Sequence, residues 1–293
     1  MSDLEVLRRG SVAVLRLNRP ERHNAFGGRL FADLLEAAEA ADQNDEVRSL
    51  VTTGAGDTYG VGADLSELKD LAGRGPIDLG ELGVDGIGGE KGLPAQSAAQ
   101  KSVDHLGIGR WSLRFRELGL PTVAAINGAA AGGAMGLALL HDVRIASTTA
   151  KFATGWIRIG LGPEMGVSWL LPRLLGEARA FDLLTRTQPV EAEEALELGL
   201  VEAVVQPRDL IEAATARAAA FATLPAGACR ATKRILHSAS ESTFGDQLER
   251  EWMAQRLLFS SNESRKLLVD ALSSDAHRAA VGNPSHPSRA TDV

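Results

Sequence analysis

A chain of 293 residues, 44% hydrophobic and 24% charged, has the length and composition to close a sizeable core in one or two domains. Its formal net charge of -7, with no basic stripe, argues against a protein of nucleic acid or of the membrane surface. No run of eighteen apolar residues occurs and the N-terminus lacks the apolar core of a signal peptide, while a lone cysteine, Cys229, and scattered histidines suit neither a disulfide nor a metal site. A cytoplasmic protein without a metal is the expectation.

In chain order, residues 3 to 17, "DLEVLRRGSVAVLRL", alternate apolar and polar around Gly10 as a hairpin of half-buried strands does. "GGRLFADLLEAAEAADQND" sets Leu30, Leu34, Leu35 and Ala38 at helical spacing, and "VRSLVTTG" reads as a short buried strand. Residues 72 to 94 are too rich in glycine for a regular element and read as a long loop, expected to close over a ligand. "SVDHLGIGRWSLRFREL", with His105, reads as an amphipathic helix, and "PTVAAIN" as a strand followed by a small-residue helix to about 140. "DVRIAS" is a further strand. From about 165 the pattern is helical except for "LVEAVV". The organisation expected is an α/β core over 1 to 205, a helical region over 206 to 275, and a disordered tail from 276 to 293.

"LVTTGAGDTYGVGADL" tests a dinucleotide-binding reading and fails it, because Tyr59 stands where the third glycine is needed. Asp64 and Glu67 have capping-box spacing, which sets the amide of Ala63 just before the positive end of a helix. In "INGAAAGGAMGLALL" a second helix starts in residues small enough for a ligand to approach the amides of Gly132 and Gly133. Two such starts facing one cavity make an oxyanion hole; the same glycines would equally serve close packing.

Glu164, in "GLGPEMGVSW", is either a solvated carboxylate at a helix start or a base. Asp142 and Arg144 read as a structural pair, His141 as packing or surface, Asp57 and Tyr59 as turn residues, and Lys233 as a surface charge.

"LNRPERHNAF", "YGVGADLSEL", "PTVAAINGAAAGGAMGLAL" with "HDVRIAS", and "GLGPEMGVSWLLPRLLG" resemble, in that order, the enoyl-CoA hydratase/isomerase (crotonase) superfamily. The resemblance implies an α/β fold, a crotonase-like spiral of ββα repeats with a helical C-terminal trimerisation region, assembled as a homotrimer or a dimer of trimers. It implies an acyl-CoA thioester as substrate, with coenzyme A part of that substrate and no separate cofactor. Carried over by position, the hole is formed by the amides of Ala63 and Gly133. The segments around Arg22, Asn24 and Ala25, and around Ala63, Asp64 and Leu65, would line the CoA, and Gly132, Gly136 and Trp156 would face the acyl group.

Hydratases of this family hold water between two glutamates, and the matching positions here are Gly136 and Trp156. Glu164 instead matches the acid of Δ3,Δ2-enoyl-CoA isomerases. Burial beside Trp156, Met165 and Trp169 would raise its pKa and the helix start would lower it. The expectation is an enoyl-CoA isomerase. The alternatives are an enoyl-CoA hydratase or other crotonase-type lyase or hydrolase, and an acyl-CoA binder without catalysis.

Overall fold

After a first hairpin, three successive pairs of strands place one strand in each of two sheets, and each pair hands the chain to a helix. The computed structural model describes residues 2–27, 29–64, 69, 73 and 108–273. The hairpin forms around Gly10 as β1 (Leu4–Arg9) and β2 (Val12–Leu17), with α1 at Leu30–Gln43. Then β3 (Ser49–Gly54) is followed by β4 (Thr58–Gly60) and, after the undescribed stretch, α2 (Gly109–Arg116). The next turn is β5 (Thr122–Ile126), β6 (Ala129–Ala131) and α3 (Gly133–Leu140). It is repeated as β7 (Val143–Ser147), β8 (Lys151–Ala153), a 3-10 turn (Trp156–Ile159) and α4 (Val167–Leu175). α5 (Glu177–Thr185), β9 (Val190–Glu191), α6 (Ala192–Glu197), β10 (Ala203–Val205) and α7 (Leu210–Ala222) complete the first compact unit.

The larger sheet runs β1-β2-β3-β5-β7-β10, parallel apart from the first hairpin, and the smaller runs β4-β6-β8-β9. This is the ββα spiral of an α/β crotonase-like fold. Alternation along the strands of the larger sheet supplies two faces. Val12, Val14, Val51, Val123 and Ile145 pack with Leu210, Ala214 and Ala218 of α7, while Leu15, Leu17 and Leu50 face the main core. Each such aliphatic side chain contributes roughly 1.5–3 kcal/mol by leaving water.

The structure divides into compact units at Met1–Leu224 and Pro225–Val293, so α7 belongs with the sheets, and the boundary lies beyond the expected residue 205. The second unit holds α8 (Ala226–Ala239), α9 (Phe244–Phe259) and α10 (Asn262–Ser273). α9 starts at a capping box in which Thr243 and Asp246 bond each other's backbone amides. The expected loop and tail lie outside the described residues, apart from Gly73, whose amide bonds the carbonyl of Lys69. Among the described residues, no helix is long and apolar enough to cross a membrane.

Several expectations are corrected. The small-residue helix starts only at Gly133, because Ala129–Ala131 pair with β4 and β8 as a strand. Arg144 pairs with Glu202, and its Nε and Nη1 donate to the carbonyls of Leu200 and His141 at 2.8 Å each. Asp142 instead accepts from the amide and hydroxyl of Thr122, at 2.8 and 2.9 Å. Tyr59 is a fully buried strand residue, and burial pushes its hydroxyl pKa far up. Its hydroxyl and His141 Nε2 bond Thr52 Oγ1 at 2.8 and 2.9 Å, while His141 Nδ1 bonds the carbonyl of Leu137 at 2.8 Å. His141 is thus core packing, the first of the two roles expected for it. Lys233 is buried.

Asn24 fixes the segment between β2 and α1. It is fully buried at φ 53°, in the left-handed region, where Asn is tolerated better than most residues. Its Oδ1 accepts from the amide of Arg19 at 2.9 Å, and its Nδ2 donates to the carbonyls of Ala55 (3.0 Å) and Thr58 (2.6 Å). The side chain therefore ties this segment to the β3–β4 connection and has no donor left for a ligand. Asn24→Ala strands those three backbone groups and is expected to lower the unfolding free energy by about 2 to 4 kcal/mol in urea titration. A loss below about 0.5 kcal/mol would show that the clamp is dispensable.

Candidate active site

Two backbone segments from successive turns of the spiral meet here. The amide of Phe26 donates to the carbonyl of Gly62 at 2.6 Å, and Phe26 and Ala63 form an isolated parallel bridge. In that phase Phe26 uses its own amide, and the N–H of Ala63 points to the opposite side. Gly62 has φ 78°, and a methyl group placed on it would lie 2.7 Å from the nitrogen of Gly133. Only glycine allows this approach. Gly133 is the first residue of α3, where amides have no partner within the helix. The amides of Ala63 and Gly133 are thus brought side by side at a positive helix end.

Gly132 has a different part. It turns the chain at φ 54°, and its amide is already bonded to the carbonyl of Ala153 at 3.0 Å. It therefore ends β6 and aims Gly133, and it donates nothing to a ligand.

Asp64, next to Ala63, is held at 2.6 Å by Arg22 Nη1 and lies 3.8 Å from Arg19 Nη2. Its carboxylate is buried while Arg22 is half-exposed, so the pair ties the segment after β4 to the turn that follows β2. Ala25 is buried and its carbonyl accepts from Arg19 Nη1 at 2.9 Å. Of the segments expected to line the CoA, Asn24 and Ala25 are buried framework residues, Arg22 reaches solvent, and Leu65 lies outside the described residues, as does most of the helix expected after Asp64.

Glu164 lies on the turn before α4. Its Oε1 accepts from Trp156 Nε1 at 3.3 Å and stands 3.5 Å from the point where a methyl group on Gly133 would sit. The carboxylate therefore lies over the Cα of Gly133, at the start of α3. Burial pushes the Glu164 carboxyl pKa up, partly opposed by the Trp156 N–H, which favours the ionised form. Trp156 is buried and forms the wall behind the carboxylate.

Phe26 was not singled out from sequence. Its ring closes the other side, with carbons 3.4 and 3.5 Å from the same methyl point on Gly133. It continues into Phe31 (centroids 5.1 Å apart), Trp111 (4.1 Å) and Phe115 (5.1 Å), a buried aromatic row joining α1 to α2. The only sequence sign was the aromatic residue ending "HNAF".

Gly136 does not face this volume. A methyl group there would lie 2.5 Å from Met165 Cβ, so the residue is a seat for Met165 and no acyl contact. Among the described residues no group of three His, Cys, Asp or Glu side chains could hold a metal ion.

Comparison with known proteins shows the family and the fold. The family model of enoyl-CoA hydratase/isomerase matches residues 8–76 and 91–271. The 1,2-epoxyphenylacetyl-CoA isomerase of Escherichia coli K12 is 34% identical over 256 residues, covering 87% of this chain and 89% of that relative. The probable enoyl-CoA hydratase EchA12 of Mycobacterium tuberculosis is 36% identical over 231 residues, covering 78% and 75%. Among solved structures, an enoyl-CoA hydratase/isomerase of Cupriavidus metallidurans CH34 superposes with a TM-score of 0.77 at 29% identity, covering 93% and 94% of the two chains.

The buried carboxylate has a stability consequence. Between the ordinary value of 4.5 and its raised native pKa, Glu164 holds a proton in the folded chain that the unfolded chain has released, so its contribution to stability falls as pH rises across that window. Above the window the folded state carries a buried charge. Glu164→Gln is expected to melt higher than wild type there, with the gap closing as pH falls below the window. Thermal melts from about pH 4 to about pH 8 check this, and a gap independent of pH would contradict it.

Proposed function

The chain belongs to the enoyl-CoA hydratase/isomerase family, and we propose that within it the protein moves a double bond, converting a 3-enoyl-CoA to a 2-enoyl-CoA through an enolate. The thioester oxygen is received by the amides of Ala63 and Gly133. The Glu164 carboxylate takes a proton from C2, and the electron pair of the broken C–H bond delocalises onto the thioester oxygen as an enolate. As the enolate collapses, its π electrons shift and C4 takes the same proton from Glu164, leaving the double bond between C2 and C3 and the carboxylate regenerated. No cofactor enters beyond the CoA of the substrate.

The observation that carries this reading is the Glu164 carboxylate beside Gly133, the one acid placed there among the described residues. A 1,3-proton shift needs one base that takes a proton from C2 and gives one to C4, and a hydrogen bond of the hole worth about 3 to 4 kcal/mol in the transition state makes a carboxylate strong enough. Its raised pKa adds basicity. Hydration is the second reading, favoured by the names of several relatives. It requires one group to deprotonate water and another to protonate carbon, and the two family positions for these are Gly136, filled by Met165, and Trp156.

Glu164→Gln is expected to keep acyl-CoA affinity, since the amide keeps the shape, and to lose 3-enoyl to 2-enoyl conversion by about 10² to 10⁴-fold. Wild type should exchange the C2 hydrogens of a 3-enoyl-CoA with deuterated solvent, and its rate should fall as acid protonates Glu164, with an apparent pKa above the ordinary carboxylate value. Hydration of a 2-enoyl-CoA that persists in Glu164→Gln would refute the assignment. Tight binding without exchange or turnover would leave the non-catalytic binder.

The second unit bears on assembly. Phe244, Leu248, Trp252, Met253, Leu257 and Phe259 of α9 are 49 to 81% exposed in the single chain, a concentration of large apolar side chains on one helix that marks an interaction surface. We assign it to contacts between copies in a homotrimer or a dimer of trimers. Light scattering at micromolar concentration is expected to give three or six times the 30.9 kDa chain mass, and a monomer would overturn this.

A further inference from the structure

The residues after Glu164 have an unusual backbone. Met165 lies at φ 57° and Gly166 at φ 78°, two successive left-handed residues, and the amide of Val167 closes the turn on the carbonyl of Glu164 at 3.0 Å. A non-glycine residue holds this conformation only when its surroundings over-determine it. Here the Met165 side chain is almost fully buried, and Ser112 Oγ of α2 approaches its sulfur at 3.7 Å. Its base fills the space above Gly136, where a methyl group would come within 2.5 Å of Met165 Cβ, 3.1 Å of its Cγ and 3.3 Å of Val167 Cγ2.

We propose that Gly136, Met165 and Ser112 form the mount that sets where the Glu164 carboxylate stands, with Gly136 and Met165 as positioning residues of the reaction. The inference rests on the reading of Glu164 as the base. Gly133 and Gly136 are one helical turn apart on the same face of α3. One rigid helix therefore presents the amide that receives the thioester oxygen and, three residues on, the bare backbone against which the base is seated. The distance between oxyanion and base is fixed by that helix rather than by two flexible loops. A side chain at 136 and the Met165 seat exclude each other, so a glutamate at 136 is incompatible with this turn.

The test uses the full chain in three forms: wild type, Gly136→Ala, and the double variant Gly136→Ala/Met165→Gly. The second change removes the Cβ that the new methyl group meets and installs the residue that best tolerates positive φ. Three readouts are taken: affinity for hexanoyl-CoA by calorimetry, solvent deuterium exchange at C2 of trans-3-hexenoyl-CoA, and the pH midpoint of that part of the tryptophan fluorescence which Trp156→Phe removes. Gly136→Ala is expected to keep the affinity, to lose exchange by about 10²-fold, as a misplacement near 1 Å does, and to shift the fluorescence midpoint. The double variant regains exchange and returns the midpoint toward wild type.

Unchanged exchange and midpoint in Gly136→Ala overturn the proposal, as does a loss of affinity with exchange intact, or a folded double variant without recovery. If Gly136→Ala fails to fold, a double variant that folds with the wild-type midpoint supports the steric account, and failure of both to fold overturns it. Should wild type show no exchange while the midpoint still follows the variants, the mount stands and the assignment of Glu164 as base falls.

Discussion

Everything at this site depends on the contact between two backbones, Gly62 and Gly133, at a distance that no side chain would permit. Amides from different turns of the chain can serve one oxygen only if the segments bearing them touch. The small sheet brings this about: β4 and β6 pair in parallel, Thr58 with Ala129 and Gly60 with Ala130, so the residues just beyond each strand emerge side by side. The arginines on Asp64, the Asn24 clamp and the Phe26 bridge hold the segment that bears Ala63. Loss of any of these would leave two amides present and badly aimed, and preorganised donors stabilise a developing charge because they need not reorient during the reaction.

In the proposed reaction the hole sets how much base is needed: an enolate stabilised by two amides would lower the demand on the group that removes the proton, and a carboxylate raised by burial would meet it. Trp156 acts in both directions: its ring excludes water and favours the neutral acid, while its N–H holds Oε1 and favours the anion. Burial is the larger effect, so the pKa ends above the ordinary value.

Long, periodic elements were legible in the sequence and short ones were not. The hairpin, α1, β3, β5 and β7 carry enough alternation or helical spacing to be recognised. β4, β6, β8 and β9 have two or three residues each, too few for any period, and "AAA" at Ala129–Ala131 favours a helix on propensity until its neighbours in the small sheet are known. The main partner of Arg144, Glu202, was not legible because it lies 58 residues away, while Asp142, the nearest acid in sequence, is hydrogen-bonded to Thr122 and acts on Arg144 through its charge. For the site, the motifs brought Ala63, Gly133, Glu164 and Trp156 to attention, and the structure gathers them. The role of Gly136 was invisible: a glycine that faces a ligand and a glycine that seats another side chain are the same letter.

That last ambiguity shows why a lone carboxylate and a glycine at 136 belong together. The family positions for a second acid are occupied in space: the volume over residue 136 by the base of Met165, the volume at 156 by an indole bonded to Glu164. Introducing a glutamate at 136 would have to expel Met165, whose left-handed backbone directs Glu164 toward Gly133, and replacing Trp156 would remove both the wall and the hydrogen bond that orient Oε1. Each step toward a second acid therefore dismantles the mount of the first. The two chemistries are separated by a packing constraint as much as by which residues can ionise, and converting one to the other requires residues 136, 156 and 165 to change together.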